Sequence, residues 1–333
     1  MKILITGVDG FLGRHIARGL LADGHEIYGI SNGSSPNLGI GFLPVDITDR
    51  AAVLDATKRA EANLCIHLAA MAHADVEADN ASLVRRVNVD GSIHLLDALE
   101  ATETRELIFF SSVKVLAETT SPEGIDENTV PEPVGVYAES KLAVEREVER
   151  RTEAGALRGS IVRPAAVVGR DDIKGNYAKM ARMIRHGFFP VLGDGTARRS
   201  LVFVDTLVHR IRTMVSAGLR PGGRYVFSDG DWSVREIVDA MRTASGFAFC
   251  PTVPIRGWTA PLGMVDAISN RLRPGRRPVA ALLRRLTDSF VVHPHRWAAD
   301  YGGLPPVDLQ ETVQRIFCLR EQYRPCCRTS FQP

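Results

Sequence analysis

The sequence predicts an α/β fold built on a doubly wound parallel sheet, and three observations predict it. Short apolar runs alternate with helical patterns through the first half of the chain, the mark of repeated strand–helix units. Three glycines stand between the first apolar run and the first helix. After Pro164 the alternation gives way to Gly-, Pro- and Arg-rich sequence with shorter helices, as expected of a second, smaller lobe.

The elements follow in order. KILIT (2–6) reads as a strand, and FLGRHIARGLLADG (11–24) as a helix with apolar spacings of three and four. EIYGI (26–30) is a strand, and a Gly/Ser/Pro loop leads to the short strand GFLPVD (41–46). ITDRAAVLDATKRA is a helix, NLCIHLAA (63–70) a strand, and the segment around 80–101 one long helix. LIFFSS (107–112) is the next strand, and the acidic, Pro-containing stretch 119–135 is a loop. YAESKLAVEREVERRTEAG forms a long amphipathic helix, with GSIVRP (159–164) the strand after it. GRYVFSD (223–229) is an isolated late strand.

The 333 residues are 24% charged and 45% hydrophobic, an ordinary globular mix, and the net charge of +2 gives no field that selects nucleic acid as a partner. MKILITG is too short and Gly-rich for a signal peptide, and no run reaches the ~18 apolar residues of a membrane span. Cys65, Cys250, Cys318, Cys326 and Cys327 contain no C-x-x-C pair, and one is left over from any disulfide framework. No metal site and a cytoplasmic setting are therefore expected. His293 and His295, around Pro294, have no acidic or cysteine neighbour and are expected in a turn near a strand end.

TGVDGFLG (6–13) sets Gly7, Gly10 and Gly13, with Phe11 and Leu12 among them, where the first strand turns into the first helix. This spacing gives a tight turn, close backbone approach to a pyrophosphate and close helix–strand packing, with the helix N–H groups facing the phosphates. In such a fold an acid at the end of the second strand usually grips the adenosine ribose. Here that place holds Ser31 and Asn32. Both can hydrogen-bond a ribose hydroxyl, but neither is charged, so NAD against NADP stays open.

YAESK puts Tyr137 and Lys141 one helical turn apart on one face. A phenol with pKa near 10 is a poor base at neutral pH, and an adjacent ammonium stabilises its phenolate. Alone, the pair fits an ordinary amphipathic helix equally well.

The combination of TG-x-x-G-x-x-G, a serine at a strand end and Y-x-x-x-K downstream resembles the short-chain dehydrogenase/reductase superfamily. TG-x-x-GFLG and the chain length look like its extended branch, the NAD-dependent epimerase/dehydratase family. With the change of pattern after Pro164, the division is a Rossmann-like domain over 1–165, to which 223–229 returns, and a substrate-binding α/β lobe over 166–317; 318–333, without clear periodicity, reads as a loose tail. The resemblance makes Tyr137 the catalytic base, Lys141 its partner, which also reaches the nicotinamide ribose, and Ser112 a hydrogen-bond donor to the reacting oxygen. Ser112 is preferred to Ser111 because S112-V-K-V-L-A fits the branch pattern S-x-x-V-Y-G, with Leu116 and Ala117 departing from the usual Tyr-Gly. Asp46 and Ile47 resemble the adenine-contacting pair. Leu68, Ala69 and Ala70 of HLAA, and Pro164, would run along the cofactor, with His67 a core residue. Asn88 resembles the helix asparagine that holds the active-site geometry. Asn176 and Arg199 resemble the residues that contact the substrate diphosphate, where a bidentate guanidinium is well suited. Ala166 stands where many sugar epimerases carry a substrate-binding Asn.

Three chemistries share this scaffold. Dehydratases of this branch carry Asp and Glu after the serine as acid and base; Val113 and Lys114 stand there, which disfavours elimination of water. SSVKV, KGNYAKM, RRSLVFVD and SDGDWS look closest to bacterial 4-epimerases of UDP-N-acetylhexosamines or their polyprenyl-diphosphate counterparts, which use bound NAD in surface-polysaccharide synthesis. A 4-keto-sugar reductase using NAD(P)H is the alternative, and a catalytically silent cofactor-binding protein a further one. The resemblance also implies a homodimer through helices near 80–101 and 137–154. The basic run 271–286 reads as a solvated face, or as a membrane-surface contact serving a lipid-linked substrate.

Overall fold

The computed structural model describes residues 1–72, 80–102, 104–173, 175–186, 189–246, 252–253 and 287–317. The basic run 271–286, the tail from 318 and four of the five cysteines lie outside these residues.

Seven parallel strands form the main sheet: β1 (Lys2–Thr6), β2 (Glu26–Ser31), β3 (Gly41–Pro44), β4 (Leu64–His67), β5 (Glu106–Phe110), β6 (Arg158–Pro164) and β10 (Arg224–Phe227). Their order is β3-β2-β1-β4-β5-β6-β10. The late strand lies against β6, with Phe227 opposite Pro164. Side chains of β1 alternate between two cores. Ile3 and Ile5 pack with Ile16 and Leu20 of α1 (Phe11–Ala22) and with Leu207 and Ile211 of α7 (Val204–Ala217). Leu4 packs on the other face with Val53 and Ala56 of α2 (Arg50–Ala60). Both faces are covered, so the strands are mostly apolar, and each buried aliphatic side chain contributes about 1.5–3 kcal/mol. Strand order reverses between β1 and β4, which opens a crevice above their C-terminal ends, the usual ligand position in such sheets.

One expected element changes character. The segment around 80–101 is not one regular helix: α3 (Ala81–Arg85) runs through a π-helical turn, Arg86–Asp90, into α4 (Gly91–Ala101). Asn88, in the π turn, is buried and bonded on both sides of its amide. Met71 N–H donates to its Oδ1 (2.8 Å), and its Nδ2 donates to Ser140 Oγ (3.0 Å) on α5 (Val136–Glu153). Those bonds reach two segments distant in sequence, and the extra residue in the turn turns Asn88 inward to meet both.

A second sheet, β11-β9-β7, joins β7 (Ala166–Val168), β9 (Arg198–Phe203) and β11 (Gly230–Ser233), while β8 (Val191–Leu192) pairs with β12 (Thr252–Val253). Its core packs Phe203 and Val168 against α6 (Asn176–Arg185), α8 (Val234–Ser245) and the helix Leu309–Phe317. Helix α8 begins with a capping box, Ser233 and Glu236 bonding each other's backbone N–H. Residues 289–293 lie between β9 and the loop 119–135. Phe290 N–H donates to Arg198 O and Ser200 N–H to Phe290 O, while Thr120 N–H donates to Ser289 O and Ile125 N–H to Val291 O. His293 donates its backbone N–H to Ile125 O in that strip, and its Nε2 pairs with Glu123 O at 2.9 Å. Among the described residues no helix is long and apolar enough to cross a membrane.

Candidate active site

The glycine loop joins β1 to α1 at the crevice. Gly7 has φ +67, and a Cβ there would stand 3.0 Å from the backbone of Ala69. A Cβ on Gly13 would collide with the Gly7 carbonyl oxygen and lie 2.7 Å from Val8 Cα. Glycine is required at both positions. Gly10, exposed, is the N-cap of α1 and has no side chain to bond the first-turn N–H groups, which are left for an anion. Phe11 and Leu12 are half-buried at the head of α1, and Leu68, Ala69 and Ala70 line the facing end of β4. This cradle fits the diphosphate of a dinucleotide. Ile47 is buried against Gly91, and Asp46 beside it is exposed. Hydrogen bonds from Thr48 N–H and Oγ1 to Asp46 Oδ1, at 2.9 and 2.8 Å, hold that carboxyl below its ordinary value. Asn32 is exposed beyond β2, while the Ser31 hydroxyl donates to Asp9 Oδ1.

Ser112 follows β5 as the cap of a short 3₁₀ turn, Val113–Val115, accepting Lys114 N–H at 3.2 Å. Its side chain lies close enough to that of Tyr137, on the first turn of α5, to lower the phenol. Ser111 is buried, and among the described residues its hydroxyl has no hydrogen-bond partner. Of the two serines, Ser112 is the one that meets the tyrosine. Burial pushes the Tyr137 phenol up to about 12, against the Ser112 side chain, which lowers it. Lys141 lies one turn further along α5, and burial pulls its ammonium down to about 8 while Glu145 opposes the shift. Lys141 Nζ donates to Phe110 O at 2.7 Å and sits 4.9 Å from the Phe109 ring centroid. The ammonium is thus turned to the end of β5, and the phenol is raised rather than lowered.

A buried polar chain joins the glycine loop to this site, and sequence reasoning found only parts of it. Thr6 Oγ1 accepts Leu68 N–H (3.1 Å) and Ala69 N–H (3.0 Å), so its single proton goes to His67 Nδ1 at 2.7 Å. His67 Nε2–H then donates to Ser92 Oγ (2.8 Å), and Ser92 to Asn88 O (2.5 Å). Asn88 Nδ2 donates to Ser140 Oγ, which donates to Tyr137 O at 2.7 Å. These partners fix one neutral tautomer, and burial, then the Lys141 charge, pulls His67 down to about 3. The signal in the sequence is polar residues at inward positions: Thr6 and His67 end apolar strands, and Ser92 and Ser140 lie on apolar helix faces.

On the substrate side, Asn176 is exposed at the head of α6 beside Tyr177. Tyr177 is close enough to Arg199 for the guanidinium to lower a phenol that burial raises to about 12. Arg199 is half-buried on β9, bonded to the carbonyls of Arg198 (2.9 Å) and Asp288. Lys114 Nζ sits 4.3 Å over the Phe290 ring, and Phe290 bridges to Arg199. The loop of Ser112 and the strand of Arg199 are therefore mechanically joined. Pro164 ends β6, and Ala166 is exposed at the start of β7.

Comparison with known proteins agrees with this arrangement. The NAD dependent epimerase/dehydratase family matches residues 3–226. A 2-alkyl-3-oxoalkanoate reductase of Stenotrophomonas maltophilia is 28% identical over 95% of this chain and 98% of its own. A UDP-glucose 4-epimerase of Vibrio cholerae is 29% identical over 93% of this chain and 92% of its own. Among solved structures, the UDP-glucose 4-epimerase of Thermus thermophilus in complex with NAD superposes with a TM-score of 0.77 at 25% identity, covering 97% of this chain and all of that one (100%). With a glycine cradle at the β1–β4 crevice and a serine–tyrosine pair beside it, the chain belongs to the NAD dependent epimerase/dehydratase family.

Proposed function

We propose that the protein is a cytoplasmic nucleotide-sugar 4-epimerase, acting on a UDP-hexose, a UDP-N-acetylhexosamine or a lipid-linked sugar diphosphate in surface-polysaccharide synthesis. The observation that carries the reading is the approach of the Ser112 side chain to the Tyr137 phenol, which it lowers, with Lys141 one turn along the same helix. Bound NAD supplies a hydride acceptor, and then a donor, for C4 of the sugar. Tyr137 takes the proton of the C4 hydroxyl and later returns it, so no net oxidation remains. Ser112 holds the reacting oxygen by a hydrogen bond. Lys141, whose ammonium rests on Phe110 O, would turn to the nicotinamide ribose with the cofactor bound and supply the positive charge that a Tyr137 phenolate needs. Arg199 and Asn176 hold the diphosphate. Val113 is buried, and Lys114 is engaged with Glu118 O (3.3 Å) and Phe290, so neither supplies the carboxylate that elimination of water requires. A homodimer through α4 and α5 completes the reading.

The same three residues would serve an NAD(P)H-dependent ketone reductase, and the similarity to a 2-alkyl-3-oxoalkanoate reductase along nearly the whole chain favours that second reading. One experiment separates them. The purified protein is denatured and the released nucleotide identified. Retained NAD, with turnover of a UDP-sugar in the absence of added cofactor, supports the epimerase. A protein without bound nucleotide that consumes NAD(P)H with a ketone defeats it. Tyr137→Phe should abolish turnover while leaving dinucleotide binding; full activity in that variant would remove the catalytic assignment.

A further inference from the structure

The end of β2 is where a sheet of this kind meets the adenosine ribose, and an acidic side chain there distinguishes a free 2′-hydroxyl from a 2′-phosphate. In this chain β2 ends at Ser31 and continues into Asn32 and Gly33, none of them charged. The structure brings a charge from elsewhere. Asp9, between Gly7 and Gly10, turns its carboxylate to β2, where Oδ1 accepts the Ser31 hydroxyl. Ser31 is 6% exposed, and its oxygen also accepts Gly33 N–H at 3.1 Å. With its one proton committed to Asp9, Ser31 acts as a fixed bracket rather than a free donor to the ribose. Gly33 completes the fit: a Cβ there would collide with Asp9 Oδ2 and lie 3.1 Å from Cγ. Three residues with no charge pattern of their own thus place a carboxylate at the end of β2.

We propose that Asp9 is the residue by which this protein selects NAD over NADP, with Ser31 its positioning residue. The carboxylate, braced by Ser31 and given room by Gly33, accepts a ribose hydroxyl and repels a 2′-phosphate. The proposal rests on the reading of the glycine loop as a dinucleotide site, and it holds for an epimerase and a reductase alike.

The test is a calorimetric titration of full-length protein, stripped of nucleotide, with NAD and with NADP. Like charges brought together at a binding site cost about a hundredfold or more in affinity, so wild type should prefer NAD by at least that ratio. Asp9→Asn keeps the shape and an oxygen for the Ser31 hydroxyl but removes the charge. It should bring the ratio down by about tenfold or more, with the melting temperature unchanged. Ser31→Ala, which frees the carboxylate from its bracket, should lower the ratio by a smaller factor and carries the test should Asp9→Asn fail to fold. Equal affinity of wild type for both dinucleotides, or an unchanged ratio in a folded Asp9→Asn protein that still binds NAD, overturns the assignment. Wild type that binds neither dinucleotide overturns the cofactor site itself, a different and separately visible failure.

Discussion

Replacing His67 with Phe tests the buried polar chain, because the structure assigns each of its hydrogens. Phe keeps an aromatic ring against Phe109, whose centroid lies 5.6 Å from that of His67, but offers no acceptor to Thr6 and no donor to Ser92. The Thr6 hydroxyl proton is then buried without a partner, a loss of about 1–3 kcal/mol at pH 7. The second consequence is in pH. His67 titrates at about 3 in the folded chain, chiefly because burial disfavours its charged form, against about 6.5 when unfolded. Above pH 6.5 both states are neutral and the group contributes nothing. As pH falls below 6.5 the unfolded chain takes up a proton that the folded chain refuses, and stability is lost at about 1.4 kcal/mol per unit until the folded value is reached. Between pH 6.5 and 4.5 the wild type therefore loses about 3 kcal/mol through this residue, and His67→Phe does not. Urea denaturation at pH 7 and pH 4.5 reads both effects. The variant should be the weaker protein at pH 7 and equal or exceed wild type at pH 4.5. Parallel losses in the two proteins would refute the neutral, tautomer-locked imidazole.

Three further outcomes follow from buried charges. Glu145 and Arg163 are both 1% exposed and paired through two hydrogen bonds of 2.9 and 2.6 Å, so Glu145→Ala strands a buried guanidinium and should cost about 3–5 kcal/mol by urea denaturation. Glu145 also supports the charge of Lys141, which burial lowers to about 8. Lys141 is protonated below that value and neutral above it, so kcat/KM should fall as pH rises through about 8, and Glu145→Gln should move that limb of the pH–rate profile downwards. The buried Glu127 carboxylate accepts the backbone N–H groups of Val226 (3.4 Å), His295 (3.2 Å) and Arg296 (3.4 Å). Glu127→Ala leaves all three without that acceptor and should cost about 3 kcal/mol or more, while Glu127→Gln, which keeps one oxygen, loses less in a thermal melt.

The strands of the main sheet were legible because a parallel strand covered on both faces must be apolar, and KILIT and LIFF satisfy that by composition alone. The glycine loop was legible because Gly7 and Gly13 answer to steric demands that no other residue meets. The π turn at Asn88 was not, since its cause lies in Met71 and Ser140, bonded across 17 and 52 residues of sequence. Asp9 escaped for a similar reason: a carboxylate in mid-loop has no meaning until folding brings Ser31, 22 residues on, to its oxygen. Residues 289–293 gave no strand signal either, because their partners are a loop and the end of β9, met only as isolated bridges. Sequence pattern reports what an element does for itself, whereas these features exist only between elements.

That distinction also explains Val113 and Lys114. From the sequence they are notable for the carboxylates they lack. In the folded chain Val113 is a core residue, 3% exposed, and anchors the turn that Ser112 caps. Lys114 lies over the ring of Phe290, whose backbone is tied to Arg198 and Ser200 on either side of Arg199. Thr120, further along the same loop, accepts Val291 N–H at 2.8 Å on its hydroxyl. Two sets of contacts thus lead from the serine to the strand that carries the proposed diphosphate-binding arginine. An acid and a base at 113 and 114 would have to give up the core contact of the first and the ring contact of the second. The positions that could have supplied elimination chemistry are occupied in fixing the distance between Ser112 and Arg199. A 4-epimerase that grips a sugar diphosphate needs that distance held, and it needs no second acid and base beyond Tyr137.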